Sequence, residues 1–211
     1  MNDAIQLSPL IHLVDDDEAV RDSLALLIGT VGLRVRAYAG SEAFLADFDP
    51  DSVGAIVLDI RMPGVSGLSV LDVLVARGVD QPVIMLTGHG TVDLCRRAFK
   101  AGAAEFLEKP VDDDLLLDSL QHAVRSHVRS RERNRADALA RERYAQLSGR
   151  KREVLGLIVA GLTNKEIARA LSLSPRTVET HRANLCAKLQ TESLAQLIRH
   201  YAGLVEAGDA P

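Results

Sequence analysis

Short, mostly apolar runs that end in polar residues recur four times in the first half of the chain. Asp15 follows IHLV, Asp59 follows AIVL, Thr87 follows VIML, and Lys109 follows EFLE. Apolar runs of this length that alternate with helical stretches are typical of parallel strands buried on both faces. Because the carboxyl ends of such strands line one crevice of an open α/β sheet, we expect carboxylates, a hydroxyl and an ammonium to converge there.

The first half of the chain alternates strand patterns with helical patterns. The predicted strands are Ile11–Val14, Leu33–Tyr38, Ala55–Leu58, Val83–Leu86 and Glu105–Leu107. The predicted helices are Glu18–Val31, Glu42–Phe48, Leu68–Ala76, Val92–Ala101 and a segment from Asp113 onward. Five such β-α units predict a doubly wound, five-stranded parallel sheet with right-handed crossovers.

The last third of the chain carries helical patterns alone. Thr163 and Glu166 form a capping box at the start of one helix, and Ser174 before Pro175 is an N-cap signal for the next. The short turn between these helices predicts a helix-turn-helix. The predicted fold class is α/β plus all-α, with a four-helix helix-turn-helix domain at the C-terminal end. The apolar side of the last helix is either core or a dimer face, and it comprises Leu194, Leu197, Ile198 and Tyr201.

Charge divides the chain into the same two parts. Residues 1–125 carry 10 Lys and Arg against 20 Asp and Glu, whereas residues 144–211 carry 9 against 6. An acidic front and a mildly basic back predict two domains with different partners. We place the domains at 1–125 and 145–211, with a linker at 126–144. The linker is rich in Arg, Glu and Ala and lacks Gly and Pro, which favours a solvated helix over the alternative of a flexible segment.

Composition argues against two classes of protein. No apolar stretch among the 211 residues is long enough to span a membrane, and the chain does not open on a signal-peptide pattern. The two cysteines, Cys95 and Cys186, lie in different halves and suggest neither a disulfide framework nor a zinc site. The sequence therefore indicates a cytoplasmic protein without a membrane partner.

The acidic residues at the predicted strand ends have the chemistry of a magnesium site. Asp15 and Asp16 end the first strand and Asp59 ends the third, and carboxylates packed together repel unless a cation neutralises them. Hard oxygen ligands suit Mg²⁺, which would offset the charge of an incoming phosphoryl group. Asp59 is then the nucleophile, while Thr87 donates to a phosphate oxygen and Lys109 adds its ammonium. Each residue alone has a simpler interpretation, such as a helix N-cap or a turn, but the ordered set favours the site.

The segments LVDDD, LDIRMPGVSG, MLTGHG and FLEKP resemble the signature segments of response-regulator receiver domains, over about residues 10–125. The resemblance implies that Asp59 accepts a phosphoryl group from a partner histidine kinase. It also implies that Asp16, Asp59 and the main-chain carbonyl of Arg61 ligate Mg²⁺, with Asp15 acting through water.

The same resemblance assigns roles to the residues around the phosphoryl group. Thr87 and Lys109 contact that group, and Phe106 occupies the position of a switch aromatic that moves inward as Thr87 shifts. The Lys109–Pro110 peptide bond is cis in the family. From the residues alone, only the general tolerance of X-Pro bonds for the cis form supports this last point.

The segment SGRKREVLGLIVAGLTNKEIARALSLSPRTVETHRANLCAKL resembles the LuxR-type helix-turn-helix of NarL/FixJ response regulators, over about residues 145–205. NKEIA and SPRTVETHRANL are the most specific motifs, and the whole chain is most similar to the FixJ-like branch. The resemblance implies that the recognition helix is Pro175–Leu189 and that its N-terminal half enters the major groove.

Residue spacing selects candidate DNA contacts on this helix. One face is shared by Arg176, Glu179, Thr180 and Ala183, which lie three and four residues apart. Glu179 can accept from a cytosine amino group and Thr180 can meet a thymine methyl group. The alternative for Glu179 is an intrahelical pair with Arg176 or Arg182. The candidate phosphate contacts are Lys165, Ser174, Arg176, Thr177, Arg182 and Lys188.

Together these features predict a two-component response regulator and not an enzyme. Phosphorylation of Asp59 is expected to favour a homodimer that binds double-stranded promoter DNA and meets RNA polymerase, with activation expected more than repression. A phosphatase with Asp59 as nucleophile is disfavoured because Arg61 occupies the place where a second carboxylate is needed. A DNA-binding protein that ignores phosphorylation is disfavoured because every acidic and lysine position of the site is present.

Overall fold

The computed structural model describes the backbone of residues 9–208 and the side chains of residues 9–205. The outer limits of the two predicted domains, at residues 1 and 211, lie outside the described residues. Backbone contacts divide the chain into two units, Met1–Arg131 and Glu132–Pro211, termed the N-terminal unit and the C-terminal unit below.

The N-terminal unit alternates strands and helices as the sequence predicts. Its strands are β1 (Leu10–Val14), β2 (Arg34–Tyr38), β3 (Gly54–Asp59), β4 (Val83–Thr87) and β5 (Glu105–Glu108). Its helices are α1 (Glu18–Thr30), α2 (Ser41–Asp47), α3 (Gly67–Ala76), α4 (Val92–Lys100) and the first part of α5 (Asp113–Ala145). The observed limits lie within about one residue of the predicted ones, because Gly, Pro and capping residues mark most of the ends.

The five strands form one parallel sheet in the order β2-β1-β3-β4-β5. Strand β1 pairs with β2 on one side and with β3 on the other, so the strand order reverses between β1 and β3. In a doubly wound sheet this reversal opens a crevice at the carboxyl ends of the two strands. Asp59 is the last residue of β3 and Asp15 directly follows β1, so both residues lie at this crevice.

Apolar side chains cover both faces of the sheet, which explains why the strands read as continuous apolar runs. On one face, Leu24 and Ile28 of α1 and Leu116 of α5 belong to the same buried cluster as the strands. On the other face, Phe44 of α2 and Leu71 of α3 pack in a second buried cluster. This arrangement confirms the predicted doubly wound α/β fold.

A polar cluster fixes α5 to the start of β3. His127 is buried, its Nδ1 lies 3.1 Å from the carbonyl oxygen of Gly54, and its Nε2 lies 3.2 Å from the carboxylate of Asp80. Arg131 donates to Asp80 at 2.8 Å and to the carbonyl of Pro50 at 2.5 Å. The compact N-terminal unit thus extends a few residues beyond 125, the limit that we place from sequence.

The C-terminal unit is helical. Helix α5 continues through residues 126–144, and the helices that follow it are α6 (Gly149–Val159), α7 (Asn164–Ala170), α8 (Pro175–Leu189) and α9 (Leu194–Gly208). Thr163 and Glu166 form both hydrogen bonds of the predicted capping box at the start of α7. Ser174 caps α8, with Pro175 at the first position of that helix. The pair α7–α8 is the predicted helix-turn-helix.

Residues from several helices build the core of this unit. Val178, Leu185 and Leu189 of α8 are fully buried, as are Leu197 and Tyr201 of α9 to within 1% exposure. The last helix therefore contributes to the core, one of the two roles that its sequence allows. Within residues 9–208, no helix has the length and apolar character needed to cross a lipid bilayer.

Candidate metal centre and nucleic-acid interface

Three carboxylates meet at the crevice between β1 and β3. Asp15, Asp16 and Asp59 each offer one oxygen atom, and these atoms lie within 4.8 Å of one another. Asp15 and Asp59 are buried, whereas Asp16 is exposed to solvent. Two strand ends position all three, since neighbouring parallel strands bring their carboxyl ends to the same edge. An oxygen-only cluster with one solvent-facing member suits a hard, partly hydrated cation such as Mg²⁺.

Lys109 brings a positive charge to the same cluster from the end of β5. Its ammonium donates to Asp15 Oδ2 at 2.5 Å and lies 3.4 Å from Asp59 Oδ2. The Lys109 amide donates to the carbonyl of Thr87 at 2.7 Å, which fixes the place of its backbone. The Lys109–Pro110 peptide bond is cis. One cation therefore balances two buried carboxylates in this cluster.

The carboxyl group of Asp59 lies in a setting that disfavours its charged form. Burial raises the pKa of its carboxyl group, the Lys109 ammonium opposes that rise, and the charge of Asp15 adds to it. Its Oδ1 is buried and has no hydrogen-bond partner among the described residues. A buried acceptor of this kind carries a desolvation cost that a new ligand would relieve. At 4% exposure, Asp59 is also less open to solvent than a nucleophile that receives a phosphoryl group is expected to be.

The three other predicted members are Thr87, Phe106 and Arg61, and they lie in different environments. Thr87 ends β4 and is fully buried, and its hydroxyl both donates to the carbonyl of His89 at 3.2 Å and accepts from the amide of His89 at 3.3 Å. Phe106 on β5 is half-buried and packs against the core cluster on the α4 side of the sheet. Arg61 is exposed in the loop after β3. The Thr87 hydroxyl is thus engaged within its own turn.

Two residues that sequence reasoning left out of the site hold Asp15 in place. The amide of Asp17 donates to Asp15 Oδ1 at 3.0 Å, and the guanidinium of Arg21 donates to the Asp15 carbonyl at 2.8 Å. The Asp17 carboxylate itself caps α1. The run of three aspartates gives a signal for the cap, but only the folded loop identifies which aspartate serves as the cap and which face the crevice.

The N-terminal half of α8 presents the predicted reading face to solvent. The exposed residues on this face line one shallow concavity, and they are Arg176, Glu179, Thr180 and Ala183. Val178 points the other way and is fully buried. Among the described side chains, the ion pairs of this unit involve Arg150 and Glu153 and leave Glu179 without an intrahelical partner. The face is therefore available to a ligand.

The predicted phosphate contacts differ in where they lie along α7 and α8 and in whether they are already bonded within the unit. Ser174 Oγ accepts from the amide of Thr177 at 3.1 Å at the start of α8, and Lys165 is exposed near the start of α7. Arg182, by contrast, is half-buried and donates to Asn164 Oδ1. Lys188 lies near the opposite end of α8, where its ammonium donates to the carbonyl of Gln146 at 2.7 Å. The structure thus gathers most candidates at the N-terminal end of α8 and places Lys188 apart from them.

Two family models match the two units. The response regulator receiver domain matches residues 11–121, and the luxR family of bacterial regulatory proteins matches residues 145–201. Together these matches cover most of the chain.

Full-length relatives combine the same two parts. The chain is 45% identical over 202 residues to the transcriptional regulatory protein FixJ of Azorhizobium caulinodans, covering 95% of this chain and 96% of that protein. It is 42% identical over 199 residues to the C4-dicarboxylate transport transcriptional regulatory protein DctR of Rhodobacter capsulatus, covering 92% and 99%. These relatives are transcriptional regulators and not enzymes.

Solved structures give the same result. The response regulator StyR superposes with a TM-score of 0.80 at 35% identity, covering 93% of this chain and 99% of that one. Full-length FixJ from B. japonicum superposes with a TM-score of 0.58 at 39% identity, covering 96% and 98%. The chain therefore belongs to the two-component response regulators in which a receiver domain is joined to a LuxR-type DNA-binding domain.

Proposed function

We propose that phosphorylation of Asp59 by a histidine kinase switches this regulator. The observation that carries the proposal is the buried Oδ1 of Asp59, which has no partner among the described residues and lies next to the Lys109 ammonium and the two other carboxylates. In the transfer, an Asp59 oxygen forms a bond to phosphorus as the P–N bond of a phosphohistidine breaks, and the released imidazole takes up a proton. The carboxylate becomes an acyl phosphate.

The donor set fits Mg²⁺ as the ion that accompanies this reaction. Asp16 and Asp59 supply carboxylate oxygens, the carbonyl of Arg61 completes the protein ligands by family resemblance, and Asp15 acts through water. When bound, the ion would neutralise negative charge on the phosphoryl group. Lys109 and the Thr87 hydroxyl are the donors that would hold the phosphoryl oxygens. In this proposal the Lys109 ammonium leaves Asp15, which also uncovers Asp59.

The phosphoryl group is proposed to act by favouring one of two packings of the receiver domain. Its oxygens compete for the Thr87 hydroxyl, which otherwise bonds to His89. Phe106 on the adjacent strand β5 then moves inward. A ligand can shift such an equilibrium only by binding one packing better than the other. The favoured packing is proposed to form a homodimer.

The LuxR-type domain is proposed to read promoter DNA with the N-terminal half of α8. Glu179 and Thr180 are the base-reading candidates because both are exposed on one face and Glu179 is unpaired in the described ion pairs. The DNA backbone phosphates are proposed to be bound by Lys165, Arg176, Thr177 and the start of α8. Two-fold symmetry of the homodimer would present two such helices to adjacent half-sites. The proposed outcome is activation of transcription with RNA polymerase in the cytoplasm.

A phosphodonor experiment tests the switch. The intact chain is incubated with acetyl phosphate and Mg²⁺, and mass spectrometry measures the added phosphoryl group. Asp59→Asn should abolish labelling, whereas Asp72→Asn, which removes an exposed carboxylate of the same domain, should leave it intact. Labelling that persists in Asp59→Asn would overturn the assignment of the phosphoacceptor.

A DNA selection tests the reading face. The acetyl-phosphate-treated chain is used to enrich duplexes from a random pool, and binding to the enriched duplex is compared with binding to a scrambled one. Glu179→Ala should relax preference at one base pair, at a cost of about 1–3 kcal/mol for the preferred duplex. Glu192→Ala removes another exposed carboxylate of the same domain and should change nothing. Equal effects of the two substitutions would exclude Glu179 as a base-reading residue.

A further inference from the structure

The C-terminal end of α8 is held by side chains and backbone from outside that helix. The last carbonyls of any α-helix lack partners within it. Here the carbonyl of Leu189, the final residue of α8, accepts from the Tyr201 hydroxyl at 3.2 Å and from Arg143 Nη1 at 3.5 Å. Arg143 Nη2 also donates to the side chain of Gln190, the residue that caps the helix in a left-handed conformation at φ 53°. One guanidinium thus contacts both the last turn of α8 and its cap.

The end of α5 that carries Arg143 is itself part of the core of the C-terminal unit. Ala140 is buried in the same apolar cluster as the inner face of α8, and Tyr144 packs against that cluster. Lys188 of α8 donates back to the carbonyl of Gln146 at 2.7 Å. Arg152 of α6 donates to the carbonyl of Ala145 at 2.8 Å. The end of α5 is therefore joined to α8 through Arg143 and the apolar cluster, and the residue that follows α5 accepts a hydrogen bond from Lys188 of α8.

This attachment lies at the end of α8 that does not carry the reading face. A helix of 15 residues is about 22 Å long. A small tilt about its C-terminal end therefore moves its N-terminal end by that length multiplied by the tilt angle in radians. Base contacts require placement to within about half an ångström. The contacts at the C-terminal end thus bear on what the N-terminal end can read. The positive charge of Arg143 also complements the negative end of the helix dipole.

We propose that Arg143 is a positioning residue for DNA recognition: it fixes the recognition helix from its non-reading end. The proposal rests on the proposed reading of DNA by the N-terminal half of α8. Arg143 acts through Gln190 and Leu189 and touches no base. The end of α5 is then a working part of the DNA-binding domain, although sequence assigns it to the linker.

The test compares two arginines of the same helix in the intact chain. Arg143→Met removes the cap contacts, and Arg141→Met removes an exposed arginine two residues earlier with the same loss of charge. Binding is measured to the duplex that the wild-type chain enriches from a random pool and to a scrambled duplex, at several salt concentrations. Arg143→Met should weaken binding to the enriched duplex about tenfold, roughly the effect of one lost hydrogen bond to a charged group. Binding to the scrambled duplex and the salt dependence should match those of Arg141→Met.

Other outcomes overturn the proposal in distinct ways. If Arg143→Met binds both duplexes as Arg141→Met does, the cap has no role in recognition. If it weakens both duplexes equally and lowers the salt slope by about one, Arg143 is a phosphate contact instead. If the wild-type chain enriches no duplex, the proposed reading face fails and this inference fails with it.

A second substitution keeps the proposal testable should Arg143→Met fold poorly. Gln190→Gly removes the side-chain acceptor while glycine accepts the left-handed backbone at that position. It leaves α5 untouched, so it should reproduce the selective loss of binding to the enriched duplex. Wild-type binding by Gln190→Gly would count against the cap as the positioning contact.

Discussion

The ammonium of Lys109 lies 2.5 Å from the carboxylate of Asp15, although 94 residues separate them in the chain. The same ammonium is 3.4 Å from Asp59, so one cation serves two buried carboxylates. Removing the cation would leave two buried carboxylates without compensation, which is costly, whereas removing the charge of Asp59 would leave Lys109 paired with Asp15. The stability of the N-terminal unit should therefore change in opposite directions when the charge of Asp59 or the charge of Lys109 is removed.

Neutralising Asp59 should stabilise the N-terminal unit. Because burial raises the pKa of this carboxyl group, the charged form is disfavoured in the folded state and stability is lost as pH rises above the ordinary carboxyl range. Asp59→Asn should therefore raise the free energy of unfolding at neutral pH, because asparagine has no charge to bury. Urea unfolding, followed by hydrogen exchange of β3 peptides, measures the change. The gain should vanish near pH 3, and Asp72→Asn should give none; a less stable Asp59→Asn would contradict the argument.

Removing Lys109 should have the opposite effect and should make the fold depend on Mg²⁺. Lys109→Met leaves the carboxylates of Asp15 and Asp59 without their cation, at a cost of about 3 kcal/mol. Added Mg²⁺ should then raise the melting temperature of this variant more than that of the wild-type chain, because the ion replaces the missing charge. Calorimetry with Mg²⁺ or with EDTA measures both shifts. Lys100→Met, at an exposed site, is the control; equal Mg²⁺ shifts in all three proteins would show that the ion does not replace the charge of Lys109.

A buried histidine on β1 should make the N-terminal unit sensitive to mild acid. His12 is 1% exposed, and its Nδ1 forms a 3.0 Å hydrogen bond with the hydroxyl of Tyr38. Its ring packs against the rings of Phe44 and Phe48. Burial, together with the charge of Arg36, lowers its pKa from 6.5 to about 4. The folded state therefore holds the neutral ring, while the unfolded chain takes up a proton below pH 6.5.

The stability that His12 contributes should be complete above pH 6.5 and lost as pH falls from 6.5 to 4, by on the order of 2 kcal/mol. His12→Leu cannot take up the proton, so its stability should fall less over the same window. Urea unfolding at several pH values, read from hydrogen exchange of β1 peptides, gives the two slopes. Parallel slopes for the variant and the wild-type chain would show that His12 does not titrate in this window.

The cluster around His127 should stabilise the N-terminal unit from the edge opposite the carboxylates. His127→Ala removes a buried ring that contacts Gly54 and Asp80, and it leaves a backbone polar group of Gly54 without that partner, at a cost of about 1–3 kcal/mol. Hydrogen exchange of peptides from β3 should therefore accelerate. His122→Ala, at an exposed position of the same helix, is the matched control and should leave exchange unchanged. Equal hydrogen-exchange protection of β3 in the two variants would show that the His127 cluster does not stabilise the unit.

Local sequence signals predicted the elements well because each depends on few residues. The apolar runs give the strands, and the capping box of Thr163 and Glu166 fixes the start of α7 to the residue. The same reasoning groups Asp15, Asp59 and Lys109 because parallel strands end at one edge. It does not reveal that Lys109 bonds chiefly to Asp15, nor that Asp59 is nearly closed to solvent.

The amino-acid sequence by itself determined the order and type of elements, the sheet edge that gathers the carboxylates and which residues of α8 share its exposed face, because periodicity and capping act over a few neighbouring residues. Only the tertiary structure decided which partner each charge takes, that His127 and Arg131 fasten α5 to β3, and that Arg143 contacts the C-terminal cap of α8. These contacts join residues about 46 to 94 positions apart. Packing in three dimensions sets such distances, and no local pattern encodes them.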